Sequence, residues 1–195
     1  MGEQKNKKDK VKEGQVTYEM YREMPEDSGR FELLDGVLEL MSPGPSATHQ
    51  SIGRELEFKL MQSCRSDYVI FYAPLDVILS QTNVLQPDLM MIHRSRLHIV
   101  TDRGVEGAPD LVVEIVSPGS RKRDKVLKMR MYARHGVPEY WIVDAASRTL
   151  EQYRMNDGGE HYILQALFEG DDVVTSDKLP CVSFVVSDIF IEMWS

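Results

Sequence analysis

Cysteine is scarce in this 195-residue chain: Cys64 and Cys181 are the two, each in an apolar context, with no CxxC and no Cys/His spacing suited to zinc. A cysteine-bound zinc site is therefore excluded, and reduced thiols in a cytoplasmic protein are expected. Long apolar runs are missing too. No stretch approaches the roughly 20 residues that span a bilayer, so no membrane role is expected. The opening MGEQKNKKDKVKEGQ carries lysines with no apolar segment after them. It reads as a disordered basic tail over residues 1–15, and not as a signal peptide or an anchor. Internal repeats and linkers are absent as well. Residues 16–195 therefore read as one domain, since two halves would each have a small and marginal core. Nor is there an excess of positive charge: the net charge is −8, which argues against a general nucleic-acid binder, because nonspecific affinity comes from cations that neutralise phosphates.

What is present begins with an ordinary globular composition, 42% hydrophobic and 28% charged, which excludes a disordered or fibrous class. The charge is unevenly spread. Between Arg121 and Arg134 seven basic residues face Asp124 alone, a local +6 that leaves −14 for the remainder, so a local basic face is expected. Thr17 before YEMYREM and Pro25 after it bound a short helix. In RFELLDGVLELM, Asp35-Gly36 between apolar runs is the signature of a two-residue hairpin. Ile52, Leu56 and Leu60, with Phe58 and Met61 beside them, mark an amphipathic helix from Ser46 to about Cys64. YVIFYAPLDVILS reads as two β segments broken near Pro74, and DLMMI as another strand. Residues 102–107 read as a polar loop. PDLVVEIVSPGS reads as a buried central strand, and Ser120 then caps a helix that Gly136 stops near His135. EYWIVD and RTLEQYRM form a strand pair, and a β-rich stretch and a short SDIFIEM helix close the chain. This order suits an α/β (α+β) fold, a central mixed sheet flanked by helices.

The chemistry starts at Glu114. Period-two alternation puts Asp110, Val112, Glu114 and Val116 on one face of their strand and Leu111, Val113 and Ile115 on the other. A carboxylate in so apolar a run carries a heavy desolvation penalty unless it is paired, protonated or bound to a cation. A structural ion pair with an arginine is one account. The other is a metal site: Asp88 heads the DLMMI strand, and two carboxylates from neighbouring strands suit Mg²⁺, which uses one or two carboxylates, waters and substrate oxygens. Taken alone, Asp88 reads more readily as a turn residue after Pro87. Asp124, Lys128 and Tyr132 recur at i, i+4 and i+8 and share a helix face, which read blandly is a surface salt bridge beside a half-buried tyrosine. Arg121, Lys122 and Arg123 occupy the first turn of the same helix, where the macrodipole penalises cations and a nearby phosphate would offset that cost. His93, His98, His135 and His161 have no metal-ligand spacing.

QPDLMMI, followed by GAPDLVVEIVSPGSRKRDKVLKMRMYARHGVPEYWIVD, resembles the Uma-two family of restriction-endonuclease-like proteins, a branch of the PD-(D/E)xK nuclease superfamily. RFELLDGVLELMSPGPSATHQSI is similar to that family's amino-terminal hairpin and following helix, so the resemblance covers roughly residues 18–191. It implies a restriction-endonuclease-like sheet, with Asp88 and Glu114 as metal ligands. The superfamily's lysine two residues after the acidic one is Val116 here, and the matching cation is Lys128 on the next helix. Glu32 resembles the additional acidic residue of many such nucleases, although an exposed strand glutamate is the alternative. His49 matches a position where family members carry histidine, with a structural role as the plainer reading. Asp110 either joins the site or fixes the start of its strand.

The expected activity is hydrolysis of nucleic-acid phosphodiesters, DNA before RNA, with Mg²⁺ or Mn²⁺ held by Asp88, Glu114 and a carbonyl near Ile115. Lys128 would act on the water or the phosphoryl charge, and Glu32 on the metal's hydration shell. Two alternatives stand beside it: a non-catalytic nuclease-fold binding module, and a hydrolase of smaller phosphoesters. A homodimer through RTLEQYRM and HYILQALF suits cleavage of two strands.

Overall fold

The shortest expected element forms as its sequence dictates. Asp35 and Gly36 both take positive φ, 50° and 77°, as a two-residue hairpin turn requires, and they join β1 (Phe31–Leu34) to β2 (Val37–Leu40). The structure is a computed structural model that describes residues 11–25, 29–41, 44–117, 119–159 and 161–190. Thr17 caps α1 (Tyr18–Arg22), its hydroxyl accepting from the Met20 N–H. Ser46 caps α2 (Ala47–Cys64) in the same way through His49 N–H. Strands β3 (Tyr68–Tyr72), β4 (Val77–Ser80), β5 (Asn83–Leu85), β6 (Leu89–His93), β7 (Val100–Thr101) and β8 (Gly104–Val105) follow. The central strand β9 (Leu111–Val116) leads through a π-helical stretch, Arg123–Lys128, into α3 (Met129–Arg134). The chain then forms β10 (Glu139–Asp144), β11 (Thr149–Met155), β12 (Tyr162–Glu169), β13 (Val173–Thr175) and β14 (Ser183–Val185).

Two six-stranded sheets result, ordered β2-β1-β5-β4-β8-β7 and β12-β11-β10-β9-β6-β3, beside a small β13-β14 pair. In the second sheet only β9 and β10 run parallel, as the helical crossover between them demands. Every residue of β9 is buried, and its alternation sorts the core. Leu111, Val113 and Ile115 pack with Ile52, Leu56 and Leu60 of α2 and with the carboxy-terminal segment. Val112 and Val116 pack with Met131 and Tyr132 of α3 and with Val77, Leu85 and Val105 of the first sheet. The fold is thus mixed α+β, with large mixed sheets flanked by helices.

Close approach of α2 to β3 is permitted by Gly53. A Cβ there would lie 2.5 Å from the ring of Tyr72. Phe58 and Met61 do not join the stripe of α2 beside which their spacing puts them: they are 54% and 39% exposed, because the sheet contacts only the Ile52–Leu56–Leu60 face.

Several expectations are corrected. Cys64 and Cys181 are not isolated thiols but a disulfide, with Cα atoms 5.1 Å apart, since the end of α2 packs against the carboxy-terminal segment. The premise for a reducing compartment therefore falls. Residues 102–107 are not simply loop, because Thr101 pairs with Gly104 and Val100 with Val105 across a tight turn. β5, unmarked in the sequence reading, is a buried strand between β1 and β4. Of the tail, residues 1–10 lie outside the described residues, while Gln15 donates its side-chain amide to Asp35 O at 2.7 Å. The closing SDIFIEM helix is a 3₁₀ turn, Val186–Ile189, and residues 191–195 lie outside the described residues.

Candidate active site

Where β6 begins, a side chain continues the ladder. β6 and β9 pair up to Leu89 opposite Val113, and the next acceptor is the Asp88 carboxylate, whose Oδ2 takes the Ile115 N–H at 2.7 Å. Its Oδ1 lies 3.1 Å from Nε2 of His49 on the first turn of α2. Glu114, next to Ile115, faces the opposite side of the sheet from Val113 and Ile115, as alternation requires, and is 3% exposed. Above it passes the π-helical stretch. The Met129 N–H reaches back five residues to Asp124 O, which also accepts from Tyr140 Oη at 3.0 Å. Such wide turns are uncommon and frequently mark functional sites.

The widened helix aims Lys128 inward. Its Nζ lies 2.9 and 3.1 Å from the two oxygens of Glu114 and 2.8 Å from Glu32 Oε1. Asp124 Oδ1 is 4.0 Å away, beyond hydrogen-bond reach. Tyr132 Oη donates to Glu114 Oε1 at 3.1 Å, and Gln86 N–H donates to Glu32 Oε1 at 2.8 Å. Among the described residues, two buried carboxylate oxygens have no hydrogen-bond partner: Glu32 Oε2 and Asp124 Oδ1. Arg123 Nε shares that condition, 3.8 Å from Asp124 Oδ1.

Charge follows from this packing. Burial alone would strip the proton from Lys128, but Glu114, Glu32 and Asp124 more than reverse the effect, so its pKa is raised and the amine stays an ammonium. Burial, only partly offset by Lys128, pushes Glu114 well above the ordinary carboxylate range, and Asp124 is raised for the same reason. Four carboxylates thus gather around one lysine. Three of them, Asp88, Glu114 and Asp124, open on a cleft of about 270 Å³ between α2, the two sheets and the β9–α3 loop. Asp88, Glu114, Asp124 and Lys128 lie along it, with Arg30 and Arg123 among its cations and Tyr72 among its apolar walls.

The model of the family Uma2, described as "Putative restriction endonuclease", matches residues 18–187. The chain belongs to the Uma2 family. Its fold is similar to the crystal structure of a "putative nuclease belonging to DUF820" from Anabaena variabilis ATCC 29413, with a TM-score of 0.72. That likeness covers 90% of this chain and 97% of the other at 19% identity, and it speaks for the fold. No curated protein matches the chain.

Within this Uma2 fold, Glu32, Glu114 and Lys128 are brought into direct contact, and Asp88 is placed beside them through Ile115. Glu32 is 1% exposed, so it is not the exposed strand residue that a hairpin position allows. Ile115 meets Asp88 through its N–H. Asp110 stays out of the cleft: its oxygens take Arg96 Nη1 at 2.6 Å and the His93 N–H at 2.7 Å, fixing the start of β9. The expected basic face is largely neutralised, with Arg121 on Asp144, Lys125 on Glu151 and Arg134 on Asp35. The Asp124–Lys128–Tyr132 stripe is a buried polar seam and not a surface salt bridge. Gln86 and Arg30, which the sequence does not mark, join the cleft together with Arg123. Of these, Arg123 alone carried a signal, its unfavourable place in the first helical turn.

Among the described residues, no three His, Cys, Asp or Glu side chains converge into a ready-made metal cage. The donors on the cleft wall are nevertheless hard carboxylate oxygens, and one of them, Asp124 Oδ1, is orphaned. That chemistry fits Mg²⁺ or Mn²⁺, which keeps several waters and needs only one or two carboxylates.

Proposed function

We propose that this Uma2 protein is a metal-dependent nuclease that hydrolyses nucleic-acid phosphodiesters, with DNA as the substrate. The observation that carries this reading is the ammonium of Lys128, held between Glu114 and Glu32 in the cleft that also holds Asp88. Asp88, Glu114 and the carbonyl of Ile115 would hold the cation, which supplies polarisation of the scissile phosphate and a bound water of lowered pKa. Lys128 presents a fixed positive charge to the phosphoryl oxygens, and being buried and preorganised it needs no reorientation as charge develops there. Glu32 and Gln86 hold that ammonium from behind. Tyr132 fixes the Glu114 carboxylate by a hydrogen bond, and His49 fixes that of Asp88. Arg30 and Arg123 on the cleft wall are the cations that meet neighbouring phosphates.

The test is nicking of supercoiled DNA by the purified protein with and without Mg²⁺, alongside Asp88→Ala, Glu114→Ala and Lys128→Ala. Metal-dependent nicking that each substitution lowers by at least about 100-fold is expected. Wild-type nicking by all three variants would sink this site. An oligonucleotide and mononucleotide panel run in parallel separates a nuclease from a hydrolase of smaller phosphoesters.

A non-catalytic binding module is the second reading. Both oxygens of Asp88 and both of Glu114 already have protein partners. Titration with Mn²⁺ decides, because a folded chain that takes up none favours the module. We further propose a homodimer through the edge strand β12, whose Ile163, Leu164 and Leu167 are exposed. A monomeric mass by light scattering at micromolar concentration would refute it.

A further inference from the structure

We propose that Asp124 is a further ligand of the cation in this cleft, donating through Oδ1. The inference rests on the nuclease reading above and adds a residue from the helix to the donors at the start of β6 and in β9. Asp124 is 3% exposed and lies on the cleft wall, yet its Oδ1 accepts no hydrogen bond. Its two nearest cations stand off, Arg123 Nε at 3.8 Å and Lys128 Nζ at 4.0 Å. A buried carboxylate oxygen without a donor is costly, and an anionic one more so, so the position calls for a positive partner that the chain itself does not bring into contact.

The backbone around Asp124 is fixed independently of its side chain. Its carbonyl takes both Tyr140 Oη and the Met129 N–H of the wide turn, and its N–H donates to Ser120 O at 3.0 Å. The side chain is therefore held at the cleft by the helix's own irregularity. Charge points the same way. Glu32, Asp88, Glu114 and Asp124 gather where, among the described residues, Lys128 is the one cation in hydrogen-bond contact with two of them. Lys128 balances one negative charge, so a divalent ion balances two more. The donors are hard oxygens throughout, three carboxylates and one backbone carbonyl, the set that selects Mg²⁺ or Mn²⁺ over softer metals.

The rival account is a water bridging Arg123 Nε and Asp124 Oδ1, which would satisfy both orphans at once. Mn²⁺ binding to the full chain, followed by calorimetry and by electron paramagnetic resonance, separates the two. Wild type, Asp124→Asn, Asp88→Asn and the surface control Asp177→Asn are compared, with circular dichroism on each. At least a tenfold loss of Mn²⁺ affinity in Asp124→Asn, with Asp177→Asn unchanged, is expected. Wild-type affinity in Asp124→Asn together with a loss in Asp88→Asn overturns this inference and leaves the nuclease reading standing. Absence of Mn²⁺ binding to the wild type overturns both. Should Asp124→Asn fail to fold, wild-type crystals soaked in Mn²⁺ decide the matter. Anomalous density in direct contact with Asp124 Oδ1, about 2.1 Å away as for such ions, supports the assignment. A water there, with the metal elsewhere, overturns it.

Discussion

Two buried glutamates on neighbouring parallel strands, Glu114 in β9 and Glu139 in β10, meet the same desolvation problem in opposite ways. Glu139 is 2% exposed and closes its own shell with neutral donors: Trp141 Nε1 at 2.6 Å, Gln152 Nε2 at 2.9 Å and Ser176 Oγ at 2.7 Å. Nothing is left over. Glu114 is as deeply buried but leans on an ammonium that it shares with Glu32, and next to it stand carboxylate oxygens with no partner. Glu139 exhausts its hydrogen-bonding capacity inside the protein, whereas Glu114 stands among groups with capacity to spare, as the proposed metal site requires.

Lys128→Met strikes this contrast hardest. With the ammonium gone, Glu114 and Glu32 face each other in the interior, and a loss of about 3–5 kcal/mol in unfolding free energy is expected, measurable by urea denaturation. A stability unchanged within about 1 kcal/mol would mean that protonation, and not the lysine, neutralises the cluster. Glu139→Gln comes next. The new amide turns a donor toward neighbours that are themselves donors, and about 1–3 kcal/mol should be lost, while Mn²⁺ affinity and cleavage by the folded protein stay at wild-type levels. A fall in Mn²⁺ affinity would erase the distinction between the two glutamates.

The smallest effect is in pH dependence. Glu114 and Asp124 have folded-state pKa values raised by burial, so the native state holds protons that the unfolded chain has released. Their stabilising contribution is full below the unfolded values, near 4, and is lost as pH rises through the raised ones. The metal-free melting temperature should therefore rise as pH is lowered from neutrality toward about 5. At still lower pH the sign reverses. The Arg134 guanidinium holds Asp35 below its ordinary range, and that contribution disappears as Asp35 protonates. A melting temperature that falls steadily from pH 7 to 5 would mean that the surplus charge is already cancelled within the chain.

How much of this was legible depends on the range of the forces involved. The hairpin at Asp35-Gly36, the caps of α1 and α2 and the faces of β9 rest on local steric and periodic rules, and they form as the residues indicate. Glu114 stood out because an apolar strand needs a reason to hold it. The burial of Glu32 was not legible, because it depends on the first sheet packing over β9 through β5, a three-residue strand with no pattern of its own. Nor was the wide helical turn, which departs from the α-helical spacing used to line up Asp124, Lys128 and Tyr132. The pairing of Cys64 with Cys181 joins residues 117 apart, and no spacing rule reaches that far. The same holds for Arg121 with Asp144 and Lys125 with Glu151, which turn an apparent basic face into a row of ion pairs.

Asp88 reaches the Ile115 N–H as though its carboxylate were the next peptide of β6. Its oxygen is therefore metered by the sheet, whose strands lie about 4.8 Å apart, and not by side-chain packing alone. Side-chain length becomes a gauge setting: in Asp88→Glu one extra methylene overshoots the slot, and the carboxylate must either buckle or give up the ladder. The central sheet thus serves as a ruler for the site as well as its floor.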